Sequence, residues 1–313
     1  MRSTRRTALG AMSAALGYLT GVSPAKSKSG PRRIPLDLST PAGNVTAYLK
    51  LRASLDSRDV FMWFTGRLDL IVPGEPVRPI IDVESLILRR TEQLGPMMWN
   101  VTDWEAALYR RLGESRYLDP GESIRNPYTG RDVTPHHYVE GPVRFRFTER
   151  EPRIVGSRDI LPDTGKPFSY PWRVVNDELW MTKSSYIRAP NWLTPEEFPE
   201  ESSGKEIIVA THSSLRGALA EVEDPSVTTV RSDFAYTATS GWLPWMKMGG
   251  APGMVSWAES GKKLLSLEEV PPTQIEALRR IHPQWFTRPE PWPEFTNMFL
   301  QYRARAKAKV PIS

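Results

Sequence analysis

From residue 59 onward the chain is built of alternating runs. Residues 79–92, PIIDVESLILRRTE, set Ile81, Val83, Ser85 and Ile87 on one side of an extended segment and Asp82, Glu84, Leu86 and Leu88 on the other. Residues 59–72, DVFMWFTGRLDLIV, are β-branched and aromatic, with Gly66 placed for a bulge. Residues 97–112 read as a third long strand, although WEAALYRRL within them also suits a helix. Further strands are predicted over 172–175, 179–189, 206–215, 227–240 and 253–260. Pro73-Gly74, Gly95-Pro96, the Asn126-Pro127…Gly130 turn and Asn176-Asp177 punctuate them. A short helix over 44–52 precedes the strands. Two helices follow: 272–281, with Ile275, Leu278 and Ile281 on one stripe, and 293–307, with Phe295, Met298, Phe299 and Tyr302 on one face.

Closely spaced strands without βαβ alternation exclude a doubly wound parallel sheet. The expected fold class is all-β with minor α: a large antiparallel β-barrel or strongly curved sheet with C-terminal helices packed on it. The expected organisation is a leader over 1–25, a linker over 26–39, one β-barrel-like domain over 40–290, and a terminal helix with a basic tail over 291–313. Composition agrees with this picture. Among 313 residues there are 11 Trp, 10 Tyr, 10 Phe and 29 Pro, which suits aromatic strands joined by stiff turns.

Two features of composition bear on compartment and partners. The chain has no cysteine, which rules out disulfides, thiolate nucleophiles and Cys-bound metal. The start, MRSTRRTALGAMSAALGYLTGVSPA, carries Arg5-Arg6 ahead of a weakly apolar Gly/Ala-rich stretch and a small-residue ending at Ala25. It reads as a twin-arginine export signal, and so as a periplasmic or secreted protein with no stable membrane insertion after the signal is removed. The net charge of +5 comes from the ends: Arg2, Arg5 and Arg6 at the start, and Arg303, Arg305, Lys307 and Lys309 at the finish. The body between has no basic excess, so nucleic acid is not an expected partner.

Candidate chemistry centres on PHHYVEGPVRFRF, residues 135–147, which holds two of the four histidines. Strand geometry sends Val143, Phe145 and Phe147 to one face and Arg144 and Arg146 to the other. His136 and His137 then point opposite ways, which argues against both binding one metal. Two readings stand: a half-buried strand with a capped histidine, or one histidine as general acid or base at a cavity wall. His212, in IIVATHSS, reads either as a core histidine or as a second polar group in a cavity. His282 follows a helix and reads as a packing or capping residue. No HExxH, facial-triad, GxSxG, GxGxxG or phosphate-loop spacing occurs, so no metal or other cofactor is expected. Asp103 and Glu105 share a face if their segment is extended. Two like charges there raise one pKa and make a general acid, unless they pair with Arg110 or Arg111 or face solvent. The segment SGWLPWMKMGGAPGMVSW, 240–257, suits either the lip of a ligand cavity or the plug of a barrel end.

Five ordered motifs, YLKLRASLDSRDVFMWFTG (48–66), RNPYTG (125–130), PHHYVEGP (135–142), GWLPWMKMGGAPG (241–253) and HPQWF (282–286), resemble the domain-of-unknown-function 1838 family. The resemblance covers residues 40–290 and implies that Arg125, Asn126, Tyr128, His136, His137, Trp242 and Trp245 belong to recurrent motifs. It implies no particular reaction.

The functional expectation is an exported, cofactor-independent enzyme, a lyase, isomerase or hydrolase, acting on a small apolar or aromatic molecule. His136 or His137 would be the acid or base. Arg125 would orient an anionic group or stabilise developing negative charge, and Tyr128 would donate a hydrogen bond. Asn126, Phe145, His212, Trp242 and Trp245 would contact the substrate. The alternative expectation is a non-catalytic barrel that carries a small hydrophobic ligand.

Overall fold

The computed structural model describes residues 36–155, 165–287 and 294–308. The export signal and most of the linker expected from the sequence lie outside them. Helix α1 (Pro41–Arg52) comes first, followed by three long strands, β1 (Asp59–Ile71), β2 (Arg78–Gly95) and β3 (Met98–Arg110). A small hairpin of β4 (Ile124–Arg125) and β5 (Asp132–Val133) holds the RNPYTG turn. Then come β6 (Tyr138–Phe147), β7 (Arg153–Ile154), β8 (Trp172–Val175), β9 (Glu178–Pro190), β10 (Glu206–Ala218), α2 (Leu219–Glu223), β11 (Ser232–Ser240), β12 (Met254–Leu264), α3 (Pro272–Ile281) and α4 (Met298–Ala308).

Ten strands form one antiparallel sheet in the order β7-β6-β3-β2-β1-β12-β11-β10-β9-β8, curled into a half-barrel. This realises the strongly curved sheet expected from the alternation. Residues 97–112 are a strand, not a helix. At the seam between β1 and β12 both strands carry an inward glycine. A Cβ on Gly261 would stand 1.9 Å from the Trp63 carbonyl oxygen, and one on Gly66 would stand 2.2 Å from that of Ala258. A concave face crowds its own Cβ atoms, so the bend requires glycine there. Phe64 of β1 and Phe234 of β11 meet edge-on at 4.9 Å across Gly261.

The two faces are covered differently. On the convex side, Phe61, Leu86, Leu88, Trp104 and Leu108 pack beneath α3 and Trp285. The concave side is filled at its two ends and not by one continuous core. At one end α1 lays Tyr48, Leu49 and Leu51 against Met62, Phe64, Phe147, Met181, Leu215 and Phe234. At the other, Trp242, Leu243, Trp245 and Met246, together with Met298 of α4, close over Leu68, Ile81, Val83, Tyr109 and Val255. No described helix is long and apolar enough to cross a membrane.

Buried cations hold α1 in place. The helix ends with carbonyls that lack intrahelical partners and carry its negative dipole. Lys263, only 1% exposed, donates to the Lys50 and Ala53 carbonyls (2.6 and 2.9 Å) and to the Thr229 hydroxyl (2.8 Å). Arg89 donates to the Arg52 carbonyl (2.7 Å) and Ser232 to that of Leu51 (2.8 Å).

Candidate functional site: a carboxylate-lined trough

Between the two apolar ends the inner face is polar. Register places Glu140 of β6 opposite Glu105 of β3, with Ile87 of β2 and Met62 of β1 on the same rung. On a second rung lie Tyr109, Val83, Gly66, Glu259 and Tyr236. Tyr138, Ala107, Ser85 and Phe64 fill the rung between. Glu105 and Glu259 are separated in the sheet by β2 and β1, and their charges meet only because the half-barrel turns both side chains into one concavity.

Glu140 reaches this face through a bulge. From Glu105 to Asp103 the partner strand advances from Glu140 to Val143, one residue more than a regular ladder allows. Gly141 sits there with φ +108°, and a Cβ on it would stand 2.6 Å from the Asp103 carbonyl oxygen. The extra residue lets Glu140 and Val143 both face inward, with Phe145 and Phe147 following Val143 as the alternation predicted.

The three glutamates are half-buried and hold their protons far above the ordinary carboxylate range. Desolvation dominates in each. It raises Glu105 to about 7, with Asp103 adding repulsion, and raises Glu140 and Glu259 to about 8, with the Glu105 charge adding to both. Ser85 and Tyr138 oppose this at Glu105 by hydrogen bonding its carboxylate, the Tyr138 hydroxyl at 3.4 Å. Asp103 does not pair with Arg110 or Arg111. Both its oxygens accept from Arg89, each at 2.6 Å. Arg110 instead meets Glu84 on the convex side at 3.0 Å.

The histidines lie elsewhere. His136 and His137 immediately precede β6 and are 5% and 4% exposed. α4 covers His136, with Arg305 donating to its Nδ1 at 2.8 Å and Tyr302 edge-on at 5.9 Å. His137 packs between Tyr109 (5.3 Å) and His282 (6.2 Å). Burial, reinforced by mutual repulsion and by Arg305, lowers His136 to about 3 and His137 to about 4. His282, which caps α3 through its backbone, falls to about 4, again through burial first. All three are neutral near pH 7. No group of three metal-ligating side chains is arranged to hold a metal ion among the described residues.

The other sequence candidates scatter. Asn126 is fully buried and ties the RNPYTG turn to the plug, donating to the Met246 carbonyl (3.1 Å) and accepting from Tyr128 N (2.9 Å). Its neighbours face out: the Arg125 side chain is 69% exposed beside Asp132, and Tyr128 is 38% exposed. His212 is exposed on the convex face, with Ser184 Oγ 3.0 Å from its Nδ1. Phe145 packs at the edge of the α1 cluster. Trp242 and Trp245, 2% and 1% exposed, belong to the plug and not to an open lip. Trp245 nonetheless lies 6.0 Å from Tyr109, at the trough's end.

Sequence reasoning placed Asp103 and Glu105 on one face but missed Glu140 and Glu259. For Glu140 the signal was Glu-Gly-Pro inside a strand, a bulge signature. For Glu259 it was a glutamate in phase with Trp257, Gly261 and Lys263, on the face that the strand buries.

Fold and site together define an antiparallel half-barrel with an acidic, tyrosine-lined trough. The chain belongs to the family described as "Protein of unknown function (DUF1838)", whose model matches residues 57–303. Comparison with curated proteins found no match.

Proposed function

We propose that the trough is an active site for proton transfer on a small organic molecule, an isomerase or lyase reaction in which Glu105 is the acid–base residue. The observation that carries this reading is the convergence of Glu105, Glu140 and Glu259 in one concavity with their protons held to about 7, 8 and 8. A general base works best with a pKa near the working pH, which Glu105 has. Its carboxylate would take a proton from a carbon next to a carbonyl. The electron pair left behind would move onto the carbonyl oxygen; as it returns, Glu105 would deliver a proton, exchanged with solvent, to the same carbon or to the far carbon of a conjugated double bond. Glu140 and Glu259, still protonated, would donate hydrogen bonds to that oxygen as its charge develops. Tyr109, Tyr138, Tyr236 and Phe64 supply an aromatic wall for an apolar or aromatic substrate. This reading gives the acid–base role to the glutamates, because His136 is buried under α4, His137 is buried between Tyr109 and His282, and both are neutral. Export by the Arg5-Arg6 signal completes the proposal, and the mass of protein recovered outside the cytoplasm tests it.

The chemistry can be tested before the substrate is identified. A panel of small carbonyl compounds is incubated with the protein in D2O and followed by NMR. At least one compound gains deuterium at carbon with wild type and not with Glu105→Gln. If ligands bind the trough and none exchanges, the protein is a carrier.

A further inference from the structure

The trough also contains a cation whose charge the fold leaves unused. Arg52 is the last residue of α1, and its backbone is clamped across the concavity. Arg89 of β2 holds its carbonyl (2.7 Å), Lys263 of β12 holds the carbonyls of Lys50 and Ala53, and Ser232 of β11 holds that of Leu51. The half-buried guanidinium lies 5.9 Å over the Tyr48 ring. Besides Tyr48, its electrostatic partners include both Asp103 on β3 and the neutral Tyr236 hydroxyl on β11, strands with β2, β1 and β12 between them. Only a group suspended above the concavity is near both.

Two other cations of this region are fully partnered, and a third lies at the exposed rim. Arg89 gives two bonds to Asp103 and one to the Arg52 carbonyl. Lys263 places its three protons on two carbonyls and a hydroxyl. Lys183, on the inner side of β9, lies over the Tyr170 ring at the exposed rim. The Arg52 guanidinium makes no hydrogen bond or ion pair with a described side chain, and Asp103, an acid whose charge acts on it, is already held by both oxygens. A planar fork of five donors, half-buried over an aromatic ring with no side-chain acceptor among the described residues, is built to receive an oxyanion.

We infer that Arg52 anchors an anionic group of the trough's ligand, which is therefore a small organic acid bound through one carboxylate. A monoanion fits better than a phosphate dianion, because Glu105, Glu140 and Glu259 share the concavity and a second negative charge would meet them unpaired. The inference rests on the trough being the ligand site. It assigns recognition to Arg52 and leaves the proton transfer to Glu105.

The test uses three probes of one shape and different charge, benzoate, benzylamine and benzyl alcohol, titrated calorimetrically against the full chain. Benzoate binds and the other two bind at least about tenfold more weakly, one bidentate charged pair being of that order. Arg52→Gln weakens benzoate by at least about tenfold and leaves benzyl alcohol unchanged, and Arg52→Lys falls between them. Unfolding temperatures of the unliganded variants confirm that α1 remains docked. The inference is overturned if benzylamine or benzyl alcohol binds as well as benzoate, if Arg52→Gln binds benzoate like wild type, or if benzoate does not bind at its solubility limit. Failure of the proton-transfer reading looks different: the Glu105 carboxyl, followed by carbon NMR in the unliganded protein, would titrate in the ordinary range whatever benzoate does.

Discussion

Two clusters of titratable groups meet at Tyr109, and burial acts on them in opposite ways. His137 packs 5.3 Å from its ring, and the Glu105 and Glu259 charges act on its hydroxyl. Desolvation lowers the histidines and raises the glutamates, so near neutrality the histidines are neutral, Glu140 and Glu259 largely hold their protons, and Glu105 is near its midpoint. They differ in what that leaves. A neutral histidine at about 3 or 4 needs a strongly acidic solution to gain a proton, and α4 seals His136. A glutamic acid at about 7 or 8 exchanges its proton at the pH of a cell, and its side chain is half-buried on the concave face. Residue type alone would favour the histidines as the catalysts. Solvation favours the glutamates.

The largest expected effect separates the two clusters by activity. Glu105→Gln lowers the deuterium exchange rate by about 10²–10⁴-fold with the fold intact. His136→Gln and His137→Gln lower stability by about 1–3 kcal/mol through lost packing and unmatched polar atoms, and change exchange by less than about threefold. A histidine variant that abolishes exchange in a folded protein would return the catalytic role to the histidine pocket.

The next effect is on stability against pH, where the clusters pull in opposite directions. The histidine pKa values are depressed below the unfolded 6.5, so their stabilisation is present above 6.5 and is lost as pH falls toward 4 and 3. The glutamate values are raised above the unfolded 4.5, so theirs is present below 4.5 and is lost as pH rises toward 8. Between 4.5 and 6.5 the two trends offset. The unfolding temperature is therefore flat there and falls on both sides. Replacing the three glutamates by glutamine removes the alkaline fall and makes stability decline from 6.5 downward, whereas His136→Gln with His137→Gln leaves only His282 to oppose the glutamates, so that the acid fall weakens and stability declines from about 4.5 upward. A single slope across the range would mean that only one cluster is buried as described.

These differences explain which parts of the molecule were legible in the sequence. The inner row Ile81, Val83, Ser85 and Ile87 was readable because alternation is local, and so was the sharing of a face by Asp103 and Glu105. The concavity that unites Glu105 with Glu259 was not, because it depends on curvature summed over β3, β2, β1 and β12. Glu140 was hidden by the bulge at Gly141, which shifts the phase within PHHYVEGPVRFRF. The histidines misled for a related reason. What desolvates His136 is Tyr302 and Arg305, in a helix more than a hundred residues further along the chain, and no local pattern announces it.

The bulge gives an intermediate effect that tests how the trough is built. Gly141→Ala puts a Cβ 2.6 Å from the Asp103 carbonyl oxygen at a φ of +108°, and costs about 1–3 kcal/mol. Relief of the clash by straightening β6 would turn Glu140 off the inner face. The NMR titration of Glu140 then moves down toward the ordinary carboxylate range, and that of Glu105 falls with it as the repulsion between them is lost. Unchanged titrations in a destabilised protein would mean that the bulge serves the strand and not the carboxylate cluster.

The smallest effects belong to residues that recur in the sequence motifs but face solvent. Arg125 and Asp132 form an ion pair at 3.4 Å with side chains 69% and 70% exposed, a geometry that contributes little in water. Tyr128 projects from the same turn, and its backbone N–H, not its ring, is what Asn126 holds. Arg125→Ala and Tyr128→Phe therefore leave stability within about 0.5 kcal/mol of wild type and deuterium exchange unchanged. Asn126→Ala, in the same turn, loosens the plug and costs about 1–3 kcal/mol, because the Met246 carbonyl and the turn N–H groups lose their partner. A large loss of exchange in Arg125→Ala without loss of stability would bring this turn back to the substrate, and the concave face would no longer hold all of the chemistry.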